Sequence, residues 1–175
     1  MRGRISIAQA AEDHVAAIED VARVIESQDP ALWTRAPRPG KWSPAEIAQH
    51  IILSYGPPLA ELDGGAGFAV RLPWWKRAVL RRKVLPRILG GTFPQGAPAP
   101  RESRPQSGSA NPAEAARTLR EKATRFATRL AEADAARRVR LTHAYFGKLT
   151  APEILKLLAV HAGHHGAQFP RAPAR

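Results

Sequence analysis

Ala151–Phe169 reads APEILKLLAVHAGHHGAQF and holds three of the chain's six histidines, His161, His164 and His165. An α-helix turns about 100° per residue, so residues four apart share a face, roughly 6 Å apart along the axis. His161 and His165 therefore point the same way. Ile154, Leu157 and Leu158 lie on that face one and two turns earlier, and Gln168 follows about one turn later. Two imidazoles on an apolar helix face are costly to bury unless their ring nitrogens find partners. A divalent cation is such a partner, because neutral imidazole is the commonest protein ligand for zinc, nickel and iron. His161 and His164 also share a face, so geometry alone leaves both pairings open. Either pair is part of a site, and the rest of the chain has to supply at least one more ligand.

The whole chain sets the frame for that search. Its 175 residues predict one domain, 1–175, with enough length to bury a core. Hydrophobic residues make up 44% and charged residues 24%, values typical of a globular protein. There are no cysteines, which excludes a disulfide framework, a thiolate nucleophile and every cysteine-containing zinc site. The N-terminal stretch lacks an apolar signal-peptide core, and no run approaches about 18 apolar residues, so a cytoplasmic protein is expected. The net charge of +12 suits an anionic partner such as nucleic acid or a membrane surface. Arginine-rich, lysine-poor usage of this kind also follows from a genome rich in G and C.

Four segments open on one signature. Ser6–Gln9, Ser43–Glu46, Asn111–Glu114 and Thr150–Glu153 each place a capping side chain three residues before Glu or Gln. In a capping box the cap oxygen accepts an orphan backbone N–H and the later side chain reaches back. Pro44 and Pro112 stand at the first helical position, where a missing N–H costs nothing. Helices are predicted over about 7–27, 44–62, 112–135 and 151–169. Pro57-Pro58 predicts a kink or break in the second. On the first helix His14 joins Ala11, Ile18, Val21 and Ile25 in an apolar stripe, where it reads as a core-edge residue. On the second, His50 faces inward with Ile47 and Ile51, and Glu46 lies one turn before it. His50 is the natural third ligand beside an inward histidine pair. Trp33 and Trp42, in the proline-rich loop between these helices, read as plugs at the bundle ends.

Residues 63–110 break the pattern. RLPWWKRAVLRRKVLPRILGG, residues 71–91, mixes Arg71, Lys76, Arg77, Arg81, Arg82, Lys83 and Arg87 with Trp74, Trp75 and aliphatic residues. It reads as an amphipathic helical insertion over the bundle mouth with its basic face in water. Arg71, Lys76, Arg77 and Arg81 are candidate anion-binding residues, and the same face is a candidate for docking on a membrane surface. The Pro/Gly/Ser-rich run that follows, residues 91–112, reads as a mobile linker.

GKWSPAEIAQH (Gly40–His50), followed about a hundred residues later by HAYFGKLTAPEILKLLAVHAGHHGAQF (His143–Phe169), resembles the DinB/YfiT-like superfamily. The two blocks cover about 40 residues, and residues 63–110 have no counterpart in the resemblance. It implies an all-α protein, an antiparallel four-helix bundle with a long crossover, here carrying the basic helical insertion. It also implies a divalent metal, zinc, nickel or iron, held by His50, His161 and His165, with His164 as the outward neighbour. Some members of the superfamily are similar to thiol S-transferases that use a low-molecular-weight thiol, or to a thiol-dependent isomerase.

Three histidines leave a coordination position open, which is the layout of a catalytic rather than a structural metal site. The expectation is a metal-dependent thiol S-transferase or hydrolase acting on a small molecule. Gln168, His164 and Glu46 are candidates for orienting the ligands or touching substrate. A low-molecular-weight thiol is the expected co-substrate and a homodimer the expected assembly. One alternative is a non-catalytic binding or stress-response protein in which the histidines form a structural cluster. A second is a membrane-surface or nucleic-acid binder using the basic insertion; no helix-turn-helix, zinc-finger or RNA-binding signature supports specific nucleic-acid recognition.

Overall fold

The computed structural model describes residues 6–70, 72–94, 96, 98–106, 108–109 and 111–170. In chain order the elements are α1 (Ile7–Glu26), α2 (Pro44–Leu53), α3 (Gly56–Leu62), α4 (Trp74–Lys83), α5 (Leu85–Leu89), a 3-10 turn (Arg101–Ser103), α6 (Pro112–Ala136), β1 (Arg140–His143), β2 (Gly147–Thr150) and α7 (Ala151–Gly166). The fold is mostly helical, with one small two-stranded sheet.

All four capped starts form. The Gln9 N–H donates to Ser6 Oγ at 3.1 Å, the Glu46 N–H to Ser43 Oγ at 3.3 Å and the Glu114 N–H to Asn111 Oδ1 at 2.8 Å. At α7 the Thr150 N–H and hydroxyl both donate to Glu153 Oε2, at 2.8 and 3.0 Å. The Pro57-Pro58 pair divides the second helical stretch as its ring geometry requires. α2 ends at Leu53, and the prolines sit in the first turn of α3, where they need donate no hydrogen bond.

α1 packs on α6 and α7, and α2 packs against the same two helices. Their apolar stripes meet in one core that includes Ile18, Ile25, Ile51, Leu119, Phe126, Leu130, Ile154 and Leu155. His14 lies inside this core, not at its edge, with 1% of its surface exposed. Its Nδ1–H donates to the Leu155 carbonyl at 3.0 Å, and the Tyr55 hydroxyl donates to its Nε2 at 3.1 Å. Both ring nitrogens are thus satisfied by protein, and His14 is a structural residue.

The sheet is the element the helical reading did not anticipate. β1 and β2 pair antiparallel, with Leu141 opposite Leu149 and His143 opposite Gly147. The turn between them closes because Gly147 takes a φ of +70°, open to glycine and strained for other residues. Leu141 and Leu149 point into the core, so alternation in Val139–His143 and Gly147–Thr150 carried the strand signal. The hairpin anchors the insertion. Arg81 donates to the Lys148 carbonyl at 2.6 Å and pairs with Glu153 at 3.4 Å. Glu61 accepts from the Thr142 N–H at 2.7 Å and from Lys148 Nζ at 2.6 Å. α4 is thereby tied to the hairpin and to α7, and Leu85 and Ile88 of α5 join the core.

Two described residues of the segment after α5, Gly108 and Ser109, touch the core. The Trp33 indole N–H donates to the Ser109 carbonyl at 2.8 Å, and its ring is 1% exposed. Gly108 lies so close to Ala45 that a Cβ there would collide with the alanine methyl.

Candidate metal centre

His50, His161 and His165 come together where α2 meets α7. Each offers one ring nitrogen, and the three nitrogens lie within 4.8 Å of one another. The rings form a near-equilateral triangle, with centroids 4.9 Å apart for His50–His161 and 4.7 Å for the other two pairs. α2 supplies His50 from the face that also buries Ile47 and Ile51. α7 supplies the other two, one helical turn apart, as the four-residue spacing requires.

Hydrogen bonds behind the rings fix which nitrogens face the centre. His50 Nδ1–H donates to the Ser103 carbonyl at 2.6 Å, leaving Nε2 with its lone pair. That Nε2 lies 3.0 Å from Nε2 of His161. Two lone pairs at this distance repel, so either His161 donates a proton across the gap or a cation sits between the rings. His165 Nδ1–H donates to Gln168 Oε1 at 3.0 Å, which frees its Nε2 in the same way. The Gln168 amide then donates to His164 Nε2 at 3.1 Å. Backing of imidazole Nδ1–H groups by carbonyl oxygens is the arrangement that orients metal-ligating histidines. The donor set therefore fits a divalent cation.

Electrostatics favour the neutral rings that a cation needs. Burial pushes the His165 imidazole down to about 4, helped by nearby His50 and His164 and opposed by the bond to Gln168. Burial lowers His50 as well, against the bond to Ser103. His161 is held well below its ordinary value by burial and then by the surrounding histidines.

The triad opens on a cavity of about 420 Å³. Trp42 flanks it, its ring 4.9 Å from that of His50. Phe93 lies 5.3 Å from His161, and Leu80, Val84 and Ile88 form a roof from α4 and α5. Pro98, Ala99 and Pro100 close one side, and Phe68 and His143 another.

The remaining residues singled out from the sequence fall in different places. Glu46 is taken up by its helix cap, accepting from the Ser43 N–H at 2.7 Å and the Ser43 hydroxyl at 2.9 Å. His164 packs on Phe93 at 5.0 Å, to one side of the three-ring cluster. Lys76 is exposed, its ammonium 5.2 Å from the Trp75 ring. Arg77 approaches Gly147, and Arg81 is bonded to the hairpin and Glu153. None of these three lines the cavity. Arg71 lies outside the described residues. Trp42 is part of the cavity wall beside His50, whereas Trp33 is a core residue.

Three contributors were not read from the sequence. Ser103 acts through its backbone carbonyl, which leaves no side-chain signature. Phe93 sits in a segment whose composition reads as linker. His143 opens the second block that resembles the superfamily, and its alternation with Leu141 was the available sign that it faces inward with that residue.

Residues 14–169 match the profile of the DinB superfamily. No curated protein and no solved structure is a significant match to the chain.

Proposed function

The chain belongs to the DinB superfamily, and from that premise we propose a divalent-metal-dependent enzyme acting on a small molecule, with thiol transfer or hydrolysis as the reaction. The observation that carries this reading is the triangle of His50, His161 and His165 beside one cavity, their ring nitrogens within 4.8 Å of one another and Nε2 left free on His50 and His165. Its architecture is read as the antiparallel four-helix bundle of the superfamily, α1, α2–α3, α6 and α7, with residues 63–111 as the long crossover. A cation held there supplies a Lewis acid that polarises a carbonyl or lowers the pKa of a bound water or thiol. His50, His161 and His165 would hold it. The Ser103 carbonyl and Gln168 keep two of those rings in the ligating tautomer. Trp42, Phe93 and the α4–α5 roof exclude water and enclose a substrate. The chain has no cysteine, so any thiol in the reaction comes from solution.

The test is a screen of metal-loaded protein for thiol transfer to electrophilic arenes and for hydrolysis of neutral aryl esters. Turnover that disappears on chelation and in His50→Ala supports the reading. Turnover unchanged in His50→Ala contradicts it.

A second reading has its own observation, and it adds a membrane contact. α4 exposes 74% of Trp74, 52% of Trp75 and 50% of Val79 beside Lys76, Arg82 and Lys83. Indoles next to basic side chains suit the headgroup region of an anionic bilayer. Co-sedimentation with vesicles containing phosphatidylglycerol, lost in Trp74→Ala/Trp75→Ala and absent with pure phosphatidylcholine, supports it. Equal recovery with both vesicle types contradicts it.

A further inference from the structure

The cavity above the three histidines has an unusual wall for a site on so basic a protein. Among the described residues, no Asp, Glu, Lys or Arg lines it, although the chain carries 27 Lys and Arg residues. Three lining residues carry hydroxyls, and each hydroxyl is turned back into the protein. Ser54 donates to the His50 carbonyl at 2.9 Å, Ser103 to the Pro100 carbonyl at 3.3 Å and Tyr145 to the Pro98 carbonyl at 2.6 Å. A charged ligand would lose its hydration on entry and find no opposite charge, a cost of several kcal/mol in general.

Besides the indole of Trp42, His143 adds a polar ring to that wall. It stands at the end of β1, its ring stacked on Phe146 at 4.8 Å, and it borders the cavity. Its Nδ1 accepts the Tyr145 N–H at 3.2 Å, so the ring proton sits on Nε2. No described residue accepts from that Nε2–H. A hydrogen-bond donor without a protein partner at an apolar wall is costly unless a ligand or water takes it.

We infer that this cavity binds an uncharged, mainly apolar carbonyl compound, whose oxygen accepts from His143 Nε2–H while its apolar body lies under Leu80, Val84 and Ile88. This deepens the proposed function by naming its substrate class, and it rests on that reading only for the chemistry that follows binding. It places the basic residues of α4 outside ligand recognition. His143 is a specificity residue for the carbonyl acceptor.

Three probes of one shape separate these elements: benzophenone, diphenylmethane, which lacks the acceptor, and 4-benzoylbenzoate, which carries a charge. Their affinities are measured by calorimetry for wild type, His143→Phe, His143→Gln and metal-stripped wild type. One hydrogen bond makes benzophenone about tenfold tighter than diphenylmethane in wild type. The preference disappears in His143→Phe and returns in part in His143→Gln, whose amide donates. Metal-stripped wild type keeps the preference, so the result stands even where the protein binds no metal. Three results overturn the inference: 4-benzoylbenzoate binding as tightly as benzophenone, equal affinities for benzophenone and diphenylmethane in wild type, or a preference lost on stripping the metal. Should both His143 variants fail to fold, the wild-type comparisons decide alone.

Discussion

The Nδ1–H of His50 donates to the backbone carbonyl of Ser103 across 2.6 Å, joining residues 53 positions apart in the chain. His50 belongs to α2, and Ser103 ends the 3-10 turn of the long segment between α5 and α6. The bond decides which nitrogen of His50 meets His161, so a segment with the composition of a linker sets the tautomer of a candidate ligand. Exchange of residues 98–104 for a glycine–serine sequence of equal length should leave the helical circular dichroism in place. Metal affinity should fall about 10–100-fold, the usual effect of removing a partner behind a ligating histidine. Competition with a chromophoric chelator measures this, and unchanged affinity would show that the Ser103 carbonyl has no part in the site.

Gln168 makes the corresponding contact to His165, and it is exposed, so its replacement tests orientation without disturbing the core. Gln168→Leu should weaken metal binding by roughly tenfold while shifting the thermal midpoint little. Gln168→Glu should retain most of the affinity, because a carboxylate also accepts from His165 Nδ1–H. The same chelator competition reads both variants.

His14 predicts the course of stability with pH. Burial pushes its imidazole down to about 4, against the raising effect of its bond to the Leu155 carbonyl. The unfolded chain takes up the same proton near pH 6.5. Between those values the unfolded state holds more protons than the folded one, so stability falls as pH drops from about 6.5 to about 4. This group then contributes no further slope below that range. Its greatest contribution is about 1.4 kcal/mol per pH unit. His14→Gln should cost stability at pH 7 and make the loss between pH 6.5 and 4.5 shallower. Urea unfolding at half-unit pH steps measures the slopes, and parallel curves for the two proteins would contradict this assignment.

The helical frame was legible because each helix start carries its own local signature. Ser6, Ser43, Asn111 and Thr150 all cap helices, and Pro57-Pro58 marks the break between α2 and α3. The juxtaposition of His50 with His161 and His165 followed from inward faces at helical spacing, with the superfamily resemblance selecting His165 over His164 as the partner of His161. The hairpin was less visible. Its strands are four residues each, and only Gly147 and a brief alternation mark them. The contacts of the described residues between 91 and 111 were not legible, because apart from the Phe93 ring they run largely through backbone carbonyls and prolines. Ser103, Pro98 and Ser109 each act through a carbonyl oxygen that any residue carries. His143 needed the hairpin before its place at the cavity could be seen.

The most direct test of the central claim is metal content per chain, by mass spectrometry of protein purified without an affinity tag and reconstituted with divalent metal. The triad predicts about one equivalent in wild type and in His164→Ala, and little or none in His50→Ala, His161→Ala and His165→Ala. No metal in the reconstituted wild type, or equal loss in His164→Ala and His165→Ala, would contradict a site built from these three histidines.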